Sequence, residues 1–153
     1  MTESAWEMAN SVEANASLNF AWNYWTNVSN WDDPPAQFEL QGKFENGACG
    51  FTRFPGQEAL PWFVRDVRPM SSATIEMQVE DATISFEWQL ESLAAERTKL
   101  TQRVLLTGEK AGMYVEQVKS MFTAGLPAGM NKLAVAMANA FSISKNPEGN
   151  AGR

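Results

Sequence analysis

Residues 73–79 and 82–90 alternate apolar and polar side chains with strict period two, residues 98–107 complete the run, and the period becomes helical from about residue 112. In residues 73–79, Ile75, Met77 and Val79 oppose Thr74, Glu76 and Gln78. In residues 82–90, Ile84, Phe86, Trp88 and Leu90 oppose Thr83, Ser85, Glu87 and Gln89. In residues 98–107, Leu100, Val104 and Leu106 share one parity, and Gln102 falls among them. Such alternation predicts strands with one dry and one wet face. Beyond Gly112, Tyr114, Val118, Met121 and Phe122 form one helical stripe, and Met130, Leu133, Ala134, Met137 and Phe141 form another. Pro127, between them, predicts a kink or two helical pieces.

The first third of the chain supplies the rest of the pattern. Residues 1–12 read as a strand, with Trp6 and Met8 on one parity. Asn15 or Ser17 is placed to cap a helix whose face carries Leu18, Trp22 and Trp25. Val28 and Trp31 continue as a short second turn, and Pro34-Pro35 ends it. Asp32-Asp33 reads as a solvated turn, without the spaced oxygen ligands of a calcium loop. Residues 37–44 and 48–54 read as a hairpin closed at Asn46-Gly47, whose glycine tolerates positive φ. Residues 60–67 form a third strand of this set.

This order is strand, two short helices, about six strands and one long helix. Short turns between consecutive strands favour an antiparallel meander. Only the last helix is large enough to cover the apolar face of a curved sheet of that length. The fold class is therefore α+β, a helix-grip arrangement in which a curved antiparallel sheet wraps around the C-terminal helix. Residues 1–141 are expected to form one domain, and 142–153 a frayed tail.

Composition limits the chemistry. Among 153 residues there is no histidine and one cysteine, Cys49. No Ser–His or Cys–His nucleophile pair can be assembled, nor a histidine or thiolate metal site. No metal or other cofactor is expected. The formal charge of −6, without a basic cluster, argues against a nucleic-acid partner. No apolar run reaches the ~18 residues of a membrane span. Together with the single cysteine and the absence of a signal-peptide pattern, this points to the cytoplasm. A homodimer is compatible with the sequence.

Several segments, taken in order, resemble one family. Residues 12–17 (VEANAS) followed by Val28-Ser29-Asn30-Trp31 resemble the opening of the START/polyketide-cyclase-like (SRPBCC) superfamily, which shares its fold with the major birch pollen allergen. Leu40-Gln41-Gly42, Asn46-Gly47 and Gly50 resemble its next hairpin, and Arg65-Asp66-Val67-Arg68-Pro69 its strand ending in proline. Residues 98–101 (TKLT) through Leu106-Thr107-Gly108 resemble its last strand, and residues 133–139 the end of its closing helix. The resemblance spans about residues 4–141. It implies an internal cavity between sheet and helix, with function residing in the lining. Members that hold catalytic iron do so with histidines, so that branch is excluded.

The expected lining is Trp31, Leu40, Phe51, Trp62, Met77, Phe86, Trp88, Gln102, Tyr114, Val118 and Phe122. This set is apolar, aromatic and adaptable, as small-molecule pockets are, and Gln102 would orient a ligand carbonyl or hydroxyl. The leading expectation is a small hydrophobic or aromatic ligand, lipid-like or polyketide-like. One alternative is a metal-independent cyclase or dehydratase, for which an inward Asp66 would serve as base. Another is a protein-interaction or chaperone-regulating module. Residues 60–67 leave open whether Arg65 or Asp66 faces inward.

Overall fold

The computed structural model describes residues 4–31 and 33–145. Asp32 and the segment 146–153 lie outside the described residues, so the expectations for them are not addressed. Seven strands form one antiparallel sheet: β1 (Trp6–Ala14), β2 (Gln37–Leu40), β3 (Cys49–Arg53), β4 (Leu60–Arg68), β5 (Ser72–Val79), β6 (Ala82–Ala94) and β7 (Arg97–Thr107). Their order is β1-β7-β6-β5-β4-β3-β2. The chain thus lays down one edge, crosses to the other, and returns as a meander until β7 pairs with β1. Helix α1 (Leu18–Trp25) and a 3₁₀ turn (Val28–Asn30) make the crossing, and α2 (Val115–Lys145) closes the fold. This is the helix-grip architecture that the sequence pattern predicts.

Of the two candidate caps, Ser17 serves. Its hydroxyl accepts from the Phe20 N–H at 3.2 Å, satisfying a donor that the first helical turn leaves free. Ala21, Trp22 and Trp25 are buried on the inner face of α1. Asn27 repeats the capping arrangement for the 3₁₀ turn, accepting from Ser29 N–H at 3.2 Å.

Three local expectations are corrected. The β2–β3 connection runs from 41 to 48 and is not a two-residue turn. Gly47 has φ +86°, but Asn46 and Gly47 bond to β4: Val67 N–H donates to Asn46 Oδ1 at 2.7 Å, and Gly47 N–H donates to the Val64 carbonyl at 2.8 Å. Phe44 leaves the strand and packs edge-on against Trp25, with ring centroids 5.2 Å apart. Next, α2 runs through Pro127 as one helix and not as two pieces, and it includes residues 142–145. Proline removes one N–H, while buried Leu126, Met130, Ala134 and Met137 hold the helix down from that point onward. Lys145 pairs with Glu96 at 2.6 Å, fixing the end expected to fray. Finally, Met121 is exposed and drops out of the inner stripe.

The core has two parts. The larger lies under α1 and α2 and contains Trp22, Trp25, Leu100, Val104, Leu106, Val118, Met130 and Met137. The smaller lies at the β4–β5 end, around Val28, Trp62, Val64 and Ile75. No helix among the described residues is long and apolar enough to cross a membrane.

Candidate ligand-binding site

Side-chain direction alternates along a strand, so inward parity can be followed across the sheet. On β7 the inward residues Thr98, Leu100, Gln102, Val104 and Leu106 are all buried. On β5 and β6, Ala73, Ile75, Ala82, Ile84 and Leu90 are buried, but Met77, Phe86 and Trp88 remain half-buried. The central strands of a filled two-layer core would be its most covered part. Here burial is complete on β7 and incomplete both on the edge strand β1, where α2 runs closest, and toward β5. Phe86 meets Phe122 of α2 edge to face at 5.6 Å, and Tyr114 is half-buried at the start of the helix. The Tyr114 hydroxyl donates to the Glu80 carbonyl at 2.9 Å, which ties the helix entrance to the β5–β6 turn.

The structure thus brings Met77, Phe86, Trp88, Gln102, Tyr114, Val118 and Phe122 to the concave side of the sheet and the helix facing it. Trp31, Leu40 and Trp62 belong to the smaller core instead. Trp31 stacks on Trp62 at 5.3 Å, and its Nε1–H donates to the Trp25 carbonyl at 2.7 Å. Trp62 is 2% exposed. These rings brace the β2–β4 end.

Phe51 is a correction. It pairs with Glu39 and Pro61, on the parity opposite to Gly50, Thr52 and Trp62. It therefore lies on the convex face, with the Arg53 guanidinium 5.9 Å from its ring centre. Cys49 shares that outward parity opposite Phe63 and is free.

Neither charge of β4 faces inward. The register shifts between Arg65 and Arg68, and Asp66 sits in that irregularity at φ +52°, exposed. An irregularity of this kind breaks the alternation, so Val64 and Val67 both reach the core while Asp66 does not. Arg65 pairs with Glu76 at 3.3 Å and lies 5.3 Å from the Phe63 ring centre. Glu87 and Arg103 are outward, as their parity predicts. Arg103 binds Glu7 at 2.7 Å and Glu87 at 3.4 Å, and its hydrogen bond holds the Glu7 carboxyl below its ordinary pKa. Among the described residues, no three His, Cys, Asp or Glu side chains converge on a metal position.

Gln102 is 8% exposed, and its side chain bonds to no described residue. Among the described residues no fully enclosed polar side-chain atom is left without a partner, so its amide must border space open to solvent. Its β1 neighbour Asn10, half-buried, donates to Met130 Sδ at 3.3 Å. Asn10 was not among the expected lining residues, although it shares the parity of Trp6 and Met8, which was the signal available for it. Two open grooves lie elsewhere. One, of about 630 Å³, runs between the end of α1 and residues 38–44; the other, of about 530 Å³, is lined by Asn15, Glu96, Phe141 and Lys145. Of the expected lining, only Leu40 borders either groove.

No family model and no curated protein sequence matches the chain. Solved structures do. A norcoclaurine synthase point mutant from Thalictrum flavum, bound to a transition-state analogue, is 14% identical at TM-score 0.70, covering 95% of this chain and 98% of that one. An aromatase/cyclase from a Streptomyces species is 17% identical at TM-score 0.63, covering 90% and 94%. A protein from Nitrosomonas europaea is 12% identical at TM-score 0.67, covering 88% and 95%. At these identities the likeness establishes the fold. The chain has the helix-grip fold of these structures.

Proposed function

We propose that the protein binds a small hydrophobic or aromatic molecule between the concave face of the sheet and α2. The observation that carries this reading is the half-burial of Met77, Phe86 and Trp88. They have inward parity on central strands, beside neighbours of the same parity that are fully covered. Covering such apolar surface with a ligand contributes roughly 25 cal/mol per Å² before the costs of association. Polarizable and aromatic side chains suit a flat or irregular apolar ligand.

Acid–base cyclisation or dehydration has less support. The carboxylate that would serve it, Asp66, is exposed, and the inward residues of β1, β5, β6 and β7 are apolar or uncharged. Proton transfer requires a titratable group within hydrogen-bond reach of the substrate.

The test uses the neutral dye N-phenyl-1-naphthylamine, whose emission rises in apolar surroundings. The wild type should give a saturable rise, and Met77→Trp, which fills the space beside Phe86, should abolish it while keeping the far-ultraviolet circular dichroism. The absence of saturable binding to the wild type would overturn the reading.

A further inference from the structure

We infer that Gln102 and Asn10 form an uncharged donor–acceptor anchor, so that the ligand is a neutral apolar molecule bearing an amide, hydroxyl or carbonyl group, and not a carboxylate. This rests on the binding reading above and narrows it. The register runs Asn10, Gln102, Trp88 across β1, β7 and β6, so the three side chains stand side by side on the concave face. Gln102 is more than nine-tenths buried, has no side-chain partner among the described residues, and borders open space. Asn10 gives its N–H to the thioether of Met130, a weak acceptor, and no described residue donates to its carbonyl. Met8 and Val12 on β1 and Leu100 and Val104 on β7 flank the pair on the same face.

A mostly buried amide with no protein partner gains by meeting a ligand group, and the one beside it has only a weak thioether acceptor. A neutral group that both accepts and donates satisfies them. A carboxylate would have to shed its water, and no cation of β1, β6 or β7 has the inward parity to replace it. Arg97, Lys99 and Arg103 on β7 all have outward parity, and Arg97 and Arg103 are paired there with Glu13 and with Glu7 and Glu87. The pair therefore sets both the orientation and the charge of what binds.

Three matched probes test this by calorimetry at neutral pH: 2-naphthamide, 2-naphthoate and 2-methylnaphthalene. In the wild type, 2-naphthamide should bind at least tenfold more tightly than 2-naphthoate. Gln102→Leu should weaken 2-naphthamide about tenfold, leave 2-methylnaphthalene unchanged, and not lower the melting temperature, because no native hydrogen bond is lost. Should that variant fold poorly, Gln102→Met offers a closer match in shape. The side-chain amide proton resonances of wild-type Gln102 should also shift on adding 2-naphthamide. Equal or tighter binding of 2-naphthoate, or undiminished 2-naphthamide binding to the variant, overturns the anchor. Retained binding of 2-methylnaphthalene then leaves the apolar site standing. Failure of all three probes overturns both readings.

Discussion

The Trp62 indole lies against the α-carbon of Gly50 so closely that a methyl group at Gly50 would overlap its ring. The two residues face each other across β3 and β4. Trp62 Nε1–H donates to Thr52 Oγ1 at 3.1 Å, which fixes the ring in place. Gly50→Ala must therefore displace a buried indole and the Trp31 ring stacked on it. Overpacking of this kind costs about 1–3 kcal/mol. Urea denaturation should give a lower midpoint for the variant, and an unchanged midpoint would contradict the packing described.

Thr98 is fully buried, and its hydroxyl donates to the Ala16 carbonyl at 2.9 Å. That bond joins the start of β7 to the turn between β1 and α1. Thr98→Val keeps the shape but leaves a buried carbonyl unpaired, at about 1–3 kcal/mol. Hydrogen exchange in the first turn of α1 should accelerate along with global destabilisation. Thr98→Ser, which retains the hydroxyl, should keep the bond and lose only the methyl packing.

Asp66, at φ +52°, occupies backbone space that costs a side chain about 1 kcal/mol relative to glycine. Asp66→Gly should hold or raise the melting temperature, and Asp66→Val should lower it. Asp66→Asn should leave N-phenyl-1-naphthylamine binding unchanged, since the carboxylate is exposed and away from the concave face. Weaker dye binding in that variant would return Asp66 to the site.

Glu7 titrates below the ordinary glutamate value of 4.5, chiefly because Arg103 donates to it. A depressed folded pKa makes the pair's contribution complete above that ordinary value and lost as pH falls through the lower, folded one. Both side chains are about half exposed, so the effect on stability should be small and salt-sensitive. In an NMR titration, Arg103→Gln should move the Glu7 midpoint upward. An unmoved midpoint would show that the ion pair does not persist in solution.

Parity in the long strands was legible from the sequence because one face of each is dry and the other wet. Residues 82–90 alternate without interruption, and Leu100, Val104 and Leu106 mark the dry parity of 98–107, so the inward direction of Phe86, Trp88 and Gln102 followed from the pleat alone. The helix-grip order followed similarly, from the change of period after residue 107. Short or irregular strands were harder to read. In β3 the more hydrophobic parity contains Phe51, yet Gly50 and Thr52 face inward, because Trp62 from the next strand occupies the space above the glycine. In β4 the irregularity after Arg65 breaks the alternation, and nothing local announces it.

The sequence by itself determined the architecture and the chemical poverty of the site: no histidine, and apolar or uncharged side chains on the dry face of the long strands. Only the tertiary structure decided which inward residues are filled core and which still border open space. Strand periodicity specifies the direction of a side chain, whereas coverage depends on where distant elements settle. In the folded chain Leu100 and Val104 are fully covered, while Phe86 and Met77 of the same parity are half-covered. The same fold leaves the Gln102 amide without a protein partner, a property that no stretch of sequence around residue 102 could reveal.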